Sequence, residues 1–152
     1  MISVERPVPT IRPVRSDDIV AILALDKKFT RGKGRLGYAD INSLNLGGPT
    51  DLSFVAEIGD ELVGFLLARL LYLMIPFIEA CVIQGILVDP DYQRQGIGGK
   101  LTEGLIEHCS AEHINLVRAL VPQYDKNLRV FLQTKGFAPS NILNYDKSIE
   151  GT

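Results

Sequence analysis

Apolar positions along this chain alternate between a spacing of two and a spacing of three to four, and the switches mark its elements. Ile11-Arg12-Pro13-Val14 reads as a short edge strand, where proline is tolerated. Ser16-Asp17-Asp18 supplies an N-cap and two first-turn acids for a helix whose apolar face is Ile19, Ile22, Leu23 and Phe29. Residues 52–58 and 62–70 read as two strands joined by a Gly59-Asp60-Glu61 hairpin turn. Residues 78–88 form a run so dense in apolar side chains that a central strand covered on both faces is expected, stopped by Asp89-Pro90. The spacing then predicts a helix over 95–112, with Ile97, Leu101, Leu105, Ile106 and Cys109 opposite Lys100, Glu103 and Glu107. A short strand at 116–121 precedes a helix over 125–135 that turns Leu128, Phe131 and Leu132 inward and ends at Gly136. Phe137 begins the last strand material, and residues 145–149 close the chain. Residues 1–10 read as a flexible tail, and the glycine-rich stretch 30–50 as a mobile loop with a short helix near 38–44. The expected architecture is one α/β (α+β) domain over residues 11–150, a mixed sheet with helices on its faces.

Composition narrows the function classes. The 152 residues are 46% hydrophobic and 22% charged with a net charge of −2, which suits a soluble domain and argues against a general nucleic-acid binder. Cys81 and Cys109 lie in apolar or helical context and read as core residues, and with His108 and His113 they give no metal-ligand spacing. The start of the chain lacks the apolar stretch of a signal peptide. The longest apolar run, 70–78, contains Pro76 and is too short to span a bilayer, so a cytoplasmic protein without a membrane partner is expected.

The chemistry lies between Gly85 and Leu101. Gln93-Arg94-Gln95-Gly96-Ile97-Gly98 sets two glycines at the opening of an amphipathic helix. The first turn of a helix has unpaired N–H groups and the positive end of the macrodipole, and glycine lets an anion approach them closely. Arg94 adds a positive charge at the rim. A P-loop is excluded because Arg94 and Leu101 stand where its first glycine and its hydroxyl residue belong. The dinucleotide fingerprint is excluded because Leu101 replaces its third glycine.

The segment Leu87-Val88-Asp89-Pro90-Asp91-Tyr92-Gln93-Arg94-Gln95-Gly96-Ile97-Gly98 closely resembles the V-x-P-x-Y and [QR]-x-x-G-x-[GA] core of the GNAT superfamily of N-acetyltransferases. The resemblance extends to Ile11-Arg12-Pro13 with Ser16-Asp17-Asp18-Ile19, to the hairpin from Phe54 to Phe65, and to Lys135-Gly136-Phe137, where the usual spacer residue is absent. It implies a mostly antiparallel sheet flanked by helices and acetyl-CoA as co-substrate. It also implies pantetheine bound along Ile86, Leu87 and Val88, and pyrophosphate cradled by Gln93, Arg94, Gln95, Gly96, Ile97, Gly98, Gly99 and Lys100. Asp125 falls where many relatives place a CoA-contacting asparagine, with Asn127 a nearby substitute.

Acetyl transfer to an amine of pKa near 10.4 leaves about one molecule in 2,500 neutral at pH 7, so a base or a water chain is expected to help. Relatives often carry the thiolate-protonating tyrosine four residues before the Gly-Phe pair's glycine, which here is Leu132. Tyr124 is the first substitute, and Tyr145 a weaker one. Glu79 is the only acid on the central strand and the candidate base, Val82 occupying the position where relatives tend to carry a glutamate; Gln84 is placed to orient a water. Each of these has an ordinary structural reading beside the catalytic one.

The resemblance places the acceptor amine between the loop 30–50 and the segment 70–77. Arg31, Lys33 and Arg35 read either as solvated charges or as anchors for an anionic substrate or the CoA phosphates. The apolar 70–77 segment reads as strand core, as an acceptor pocket or as a homodimer contact. The expected function is direct acetylation of a primary amine on a small molecule or protein. The alternative is a non-catalytic acyl-CoA-binding or regulatory module, kept open by Leu132.

Overall fold

A computed structural model describes residues 7–30, 42, 44–73 and 78–149, in two compact units, Met1–Leu120 and Val121–Thr152. Arg31, Lys33, Arg35, most of the expected helix 38–44 and residues 74–77 lie outside the described residues.

The first unit is a five-stranded sheet in the order β1 (Thr10–Pro13), β2 (Phe54–Ile58), β3 (Glu61–Leu73), β4 (Ile78–Val88) and β5 (Val117–Ala119). Each neighbouring pair is antiparallel except β4 and β5, which run parallel because helix α2 (Ile97–Ala111) carries the chain back between them. Helix α1 (Ile19–Phe29) connects β1 toward β2. Strand alternation divides the sheet's residues between two faces. Val55, Phe65, Leu67 and Leu87 point to one face and form a buried cluster with Ile22, Leu23 and Leu25 of α1. On the other face α2 packs close: a Cβ built on Gly64 would lie 3.3 Å from Ile97 and 3.4 Å from Leu101, and one built on Gly104 would meet Ile11 and Phe54. Buried Cys81 and Cys109 lie together on this same face, and Cys109 together with burial pushes the Cys81 thiol up.

The helix α1 entry differs in detail from the expected Ser16 cap. Residues Ser16–Asp18 form a 3-10 turn, and the Asp18 carboxylate accepts the Arg15 N–H at 2.7 Å. Arg12 donates through Nη1 and Nη2 to both Asp18 oxygens at 2.8 Å and through Nε to Glu57 at 2.8 Å, tying β1, the turn and β2 together. β3 runs three residues further than expected, so Leu70–Leu73 are strand rather than connection, paired with Ile78–Cys81 of β4.

In the second unit α3 (Lys126–Thr134) is capped by the Asp125 carboxylate, which accepts the Leu128 N–H at 3.1 Å. It ends at Gly136 with φ of +90° and the Phe137 N–H donating to Leu132 C=O at 3.0 Å, a Schellman closure. The expected last strand is not formed: residues 137–149 hold no strand, and Leu143, Tyr145 and Ile149 are exposed. Apolar residues suggested β structure there. Pro139, Ser140, Asn141, Asn144 and Asp146 instead interrupt the stretch with turn chemistry, including the Ile142 N–H donating to Ser140 Oγ.

Candidate functional site

Gln84 is the hinge of the site. The register passes from Ala68↔Ile83 to Leu67↔Gly85, leaving Gln84 as an extra residue, a β-bulge in β4. Pairing between β4 and β5 covers only Cys81↔Val117, Val82↔Arg118 and Ile83↔Ala119, so it stops where the bulge begins. The Asp89 N–H donates to Val63 C=O at 2.8 Å, which sets the phase of the last part of β4. Alternation then turns the backbone groups of Gly85 and Leu87 toward β3, and those of Ile86 and Val88 toward the edge that β5 has left. Gln93 Nε2 reaches back to Val88 C=O at 3.2 Å, as that direction requires. The bulge thus produces a strand edge along which, among the described residues, the backbone groups of Ile86 and Val88 face away from β3 with no strand beside them, the Val88 C=O taking only the Gln93 side chain, an arrangement suited to an extended amide-bearing ligand.

That edge leads into the glycine segment. Asp89 is buried; its carboxylate accepts the Asp91 N–H at 2.9 Å and the Lys28 ammonium at 2.8 Å, and Asp91 takes the same ammonium at 2.8 Å. The two carboxylates raise the Lys28 pKa above its ordinary range. Lys28 therefore staples the C-terminal turn of α1 to the 3-10 turn Pro90–Tyr92 that aims the following loop. In the sequence Asp89-Pro90 serves as a strand stop and as part of the family motif. The Asp-Pro-Asp pattern signalled a side-chain-bonded turn, but its lysine partner lies 61 residues away.

Arg94 and Gly96 both take the left-handed conformation, with φ of +65° and +78°. Such residues turn successive N–H groups toward one concavity, and for arginine this backbone is costly. Gly96 is the N-cap of α2 and has no side chain to satisfy the amides of Ile97, Gly98 and Gly99. A Cβ on Gly96 would meet nothing within 4 Å, so the space in front of that turn is open. Gln93, Arg94 and Gly96 are exposed, while Ile97 and Gly99 are buried by the helix packing. The arrangement is an uncapped helix N-terminus preceded by a cationic, strained loop, a geometry electrostatically suited to an anion.

Of the remaining candidates, Glu79 is placed less favourably. Glu79 is exposed, pairs with Tyr72 and shares the α2 face with Cys81. The β4–β5 pairs lie between it and the opening, and Gln84 is five residues on, about 17 Å along the strand. Tyr124 is 90% exposed in the turn before α3, Asn127 is exposed in its first turn, and Tyr145 is exposed. Leu132 is buried. Among the described residues no group of three metal-ligating side chains is assembled, and no helix is long and apolar enough to cross a membrane.

Residues 18–137 match the acetyltransferase (GNAT) family. The fold is shared with an aminoglycoside acetyltransferase, meta-AAC0020, from an uncultured soil metagenomic sample (TM-score 0.76, 19% identity, covering 93% of this chain and 97% of that one). It is shared with AAC(6')-Iy bound to a bisubstrate analog built on CoA (TM-score 0.77, 16% identity, 93% and 99% covered). It is also shared with the ribosomal-protein-S18-alanine N-acetyltransferase of Escherichia coli (TM-score 0.70, 19% identity, 88% and 80% covered). A search of curated proteins gives no match. The bulged strand, its open edge and the glycine-capped helix stand on a chain that belongs to the GNAT acetyltransferase family.

Proposed function

We propose that the protein is an acetyl-CoA-dependent N-acetyltransferase that passes the acetyl group directly to a primary amine. The observation that carries this reading is the continuity of the open β4 edge with the uncapped start of α2. Ile86 and Val88 pair with the pantetheine amides as a missing strand would. The amides from Arg94 to Gly99 take the pyrophosphate, with the Arg94 and Lys100 charges at the rim and Asn127 a further CoA contact. The thioester then lies at the bulge, where the amine attacks its carbonyl carbon, the C–S bond breaks and CoA leaves as thiolate. Holding both reactants in line supplies most of the rate. The placement of Glu79 favours Gln84 and water over Glu79 as the route for the amine proton, and Tyr124 is the candidate that protonates the thiolate.

A thermal-shift titration tests the reading. Acetyl-CoA and CoA at about a hundred times Kd stabilise the protein by about 2.7 kcal/mol, a rise of roughly 5–10 °C for a chain of this size, while ATP does not. Gly98→Trp abolishes the shift. A shift without thiol release on any amine would favour the non-catalytic acyl-CoA-binding module, and no shift would overturn the assignment.

A further inference from the structure

Beyond the bulge, the α1 face of the sheet carries a row that neither the fold nor the CoA cradle requires. Arg69 of β3 follows Leu67 on that face and stands opposite Val82 of β4, and Val82 stands opposite Arg118 of β5. The two arginines flank one valine across three strands, with Cα atoms about 10 Å apart. Both are half-buried, and among the described residues neither forms an ion pair. Arg69 Nε is sealed from solvent and has no hydrogen-bond partner among the described residues, an unusual state for a guanidinium. Asp51, across the bridge from Arg69, forms no ion pair with it; its oxygens accept the N–H groups of Gly47 at 2.7 Å and Ser53 at 3.1 Å. Toward the bulge, a Cβ on Gly85 would meet nothing within 4 Å and Gln84 is exposed, so the face is open there. The row is two residues, about 7 Å, from Gln84, but six residues, about 20 Å, upstream of Val88 and the loop beyond it, too far to serve the pyrophosphate.

We infer that Arg69 and Arg118 bind an oxyanion on the acceptor, so that the substrate is a small amine bearing a carboxylate or phosphate. This rests on the N-acetyltransferase reading. Paired guanidiniums match the two-oxygen geometry of such groups, and they repel a polycation such as an aminoglycoside.

The experiment measures thiol release from acetyl-CoA with four amines: glutamate (carboxylate), phosphoethanolamine (phosphate), putrescine (no anion) and kanamycin (polycation). It compares wild type with Arg69→Met and Arg118→Met. One of the two anionic amines is expected to be the best acceptor, and which one identifies the oxyanion. Each variant raises its KM about 10- to 100-fold with a smaller change in kcat, and does not lower the weak rate on putrescine, a dication that the arginines repel. Because Arg69 Nε is unpaired, Arg69→Met keeps or raises the melting temperature and keeps the acetyl-CoA shift, whereas a merely structural arginine would lower the former. Kanamycin or putrescine as the best acceptor, or unchanged KM in both variants, overturns the inference. If no amine turns over, the arm that decides is a thermal shift of the CoA-bound protein by 10 mM glutamate or phosphoethanolamine. A shift that both variants lose upholds the oxyanion site, and no shift overturns it. Absence of any acetyl-CoA shift, by contrast, is failure of the acetyltransferase reading itself.

Discussion

Arg12 is the residue on which the entry of the fold turns. Its side chain is 18% exposed and fills a bidentate pair with Asp18 and a third bond to Glu57. Burial alone would push the Asp18 carboxyl up, but the bonds from Arg12 and the Arg15 N–H hold it below its ordinary value, and Arg12 lowers Glu57 likewise. Carboxyls depressed in the folded state contribute stability that is full above their unfolded values, near 4, and is lost as pH falls through the folded ones. Urea midpoints of the wild type should therefore be level near neutrality and fall below about pH 4. Arg12→Met should cost about 2–3 kcal/mol at pH 7 by stranding Asp18. Its acid limb should be shallower, and equal slopes in the two proteins would refute the linkage. The sequence displayed Arg12 and Asp18 next to an expected helix start, but Ser16 was the better cap by propensity. Only the strand register, which brings Glu57 alongside, shows why the arginine wins.

At the scale of elements, β4 was legible to the residue because a strand largely covered on both faces must be mostly apolar, and 78–88 is apolar apart from Glu79, Gln84 and Gly85. Its bulge was not. One extra residue leaves no mark on composition, and the sequence offered Gln84 only as a residue placed to orient a water. Deleting Gln84 tests what the bulge does. The β3–β4 register would continue unbroken, and either Ile86 and Val88 would turn inward or every later side chain would change face. Acetyl-CoA binding should vanish, as read by thermal shift, even in preparations that keep native circular dichroism. Lys28 acts on the next element. Lys28→Ala should weaken acetyl-CoA binding several-fold by freeing the 3-10 turn ahead of the glycine loop, and should also lower the urea midpoint because the buried Asp89 carboxylate loses its cation. A lowered midpoint with normal binding would assign Lys28 to stability instead. The last strand shows the opposite error. Scattered apolar residues in 137–149 were read as β structure, although a strand exists only where another strand receives its hydrogen bonds.

For the whole molecule, order carried more information than any single motif. The succession of strand, helix, hairpin, long apolar strand and glycine-opened helix was readable from end to end, and residues 18–137 match the family that has it. The glycine-opened helix start was legible for the same reason, since its geometry lies in the backbone and needs no distant partner. Side-chain chemistry was less so: Glu79 was selected as the acid on the right strand, yet strand register puts it on the far side of the β4–β5 pairs from the bulge. Three residue pairs are also all that fasten β5 to its neighbour. A sheet held so lightly at that border behaves like a seam that its own ligand stitches. In deuterium exchange, the amides of Ile86 and Val88 should label within seconds in the free protein and slow by at least tenfold when CoA is bound. Val117 to Ala119 should slow with them, although no atom of the ligand need touch those residues, because a splinted border opens less often.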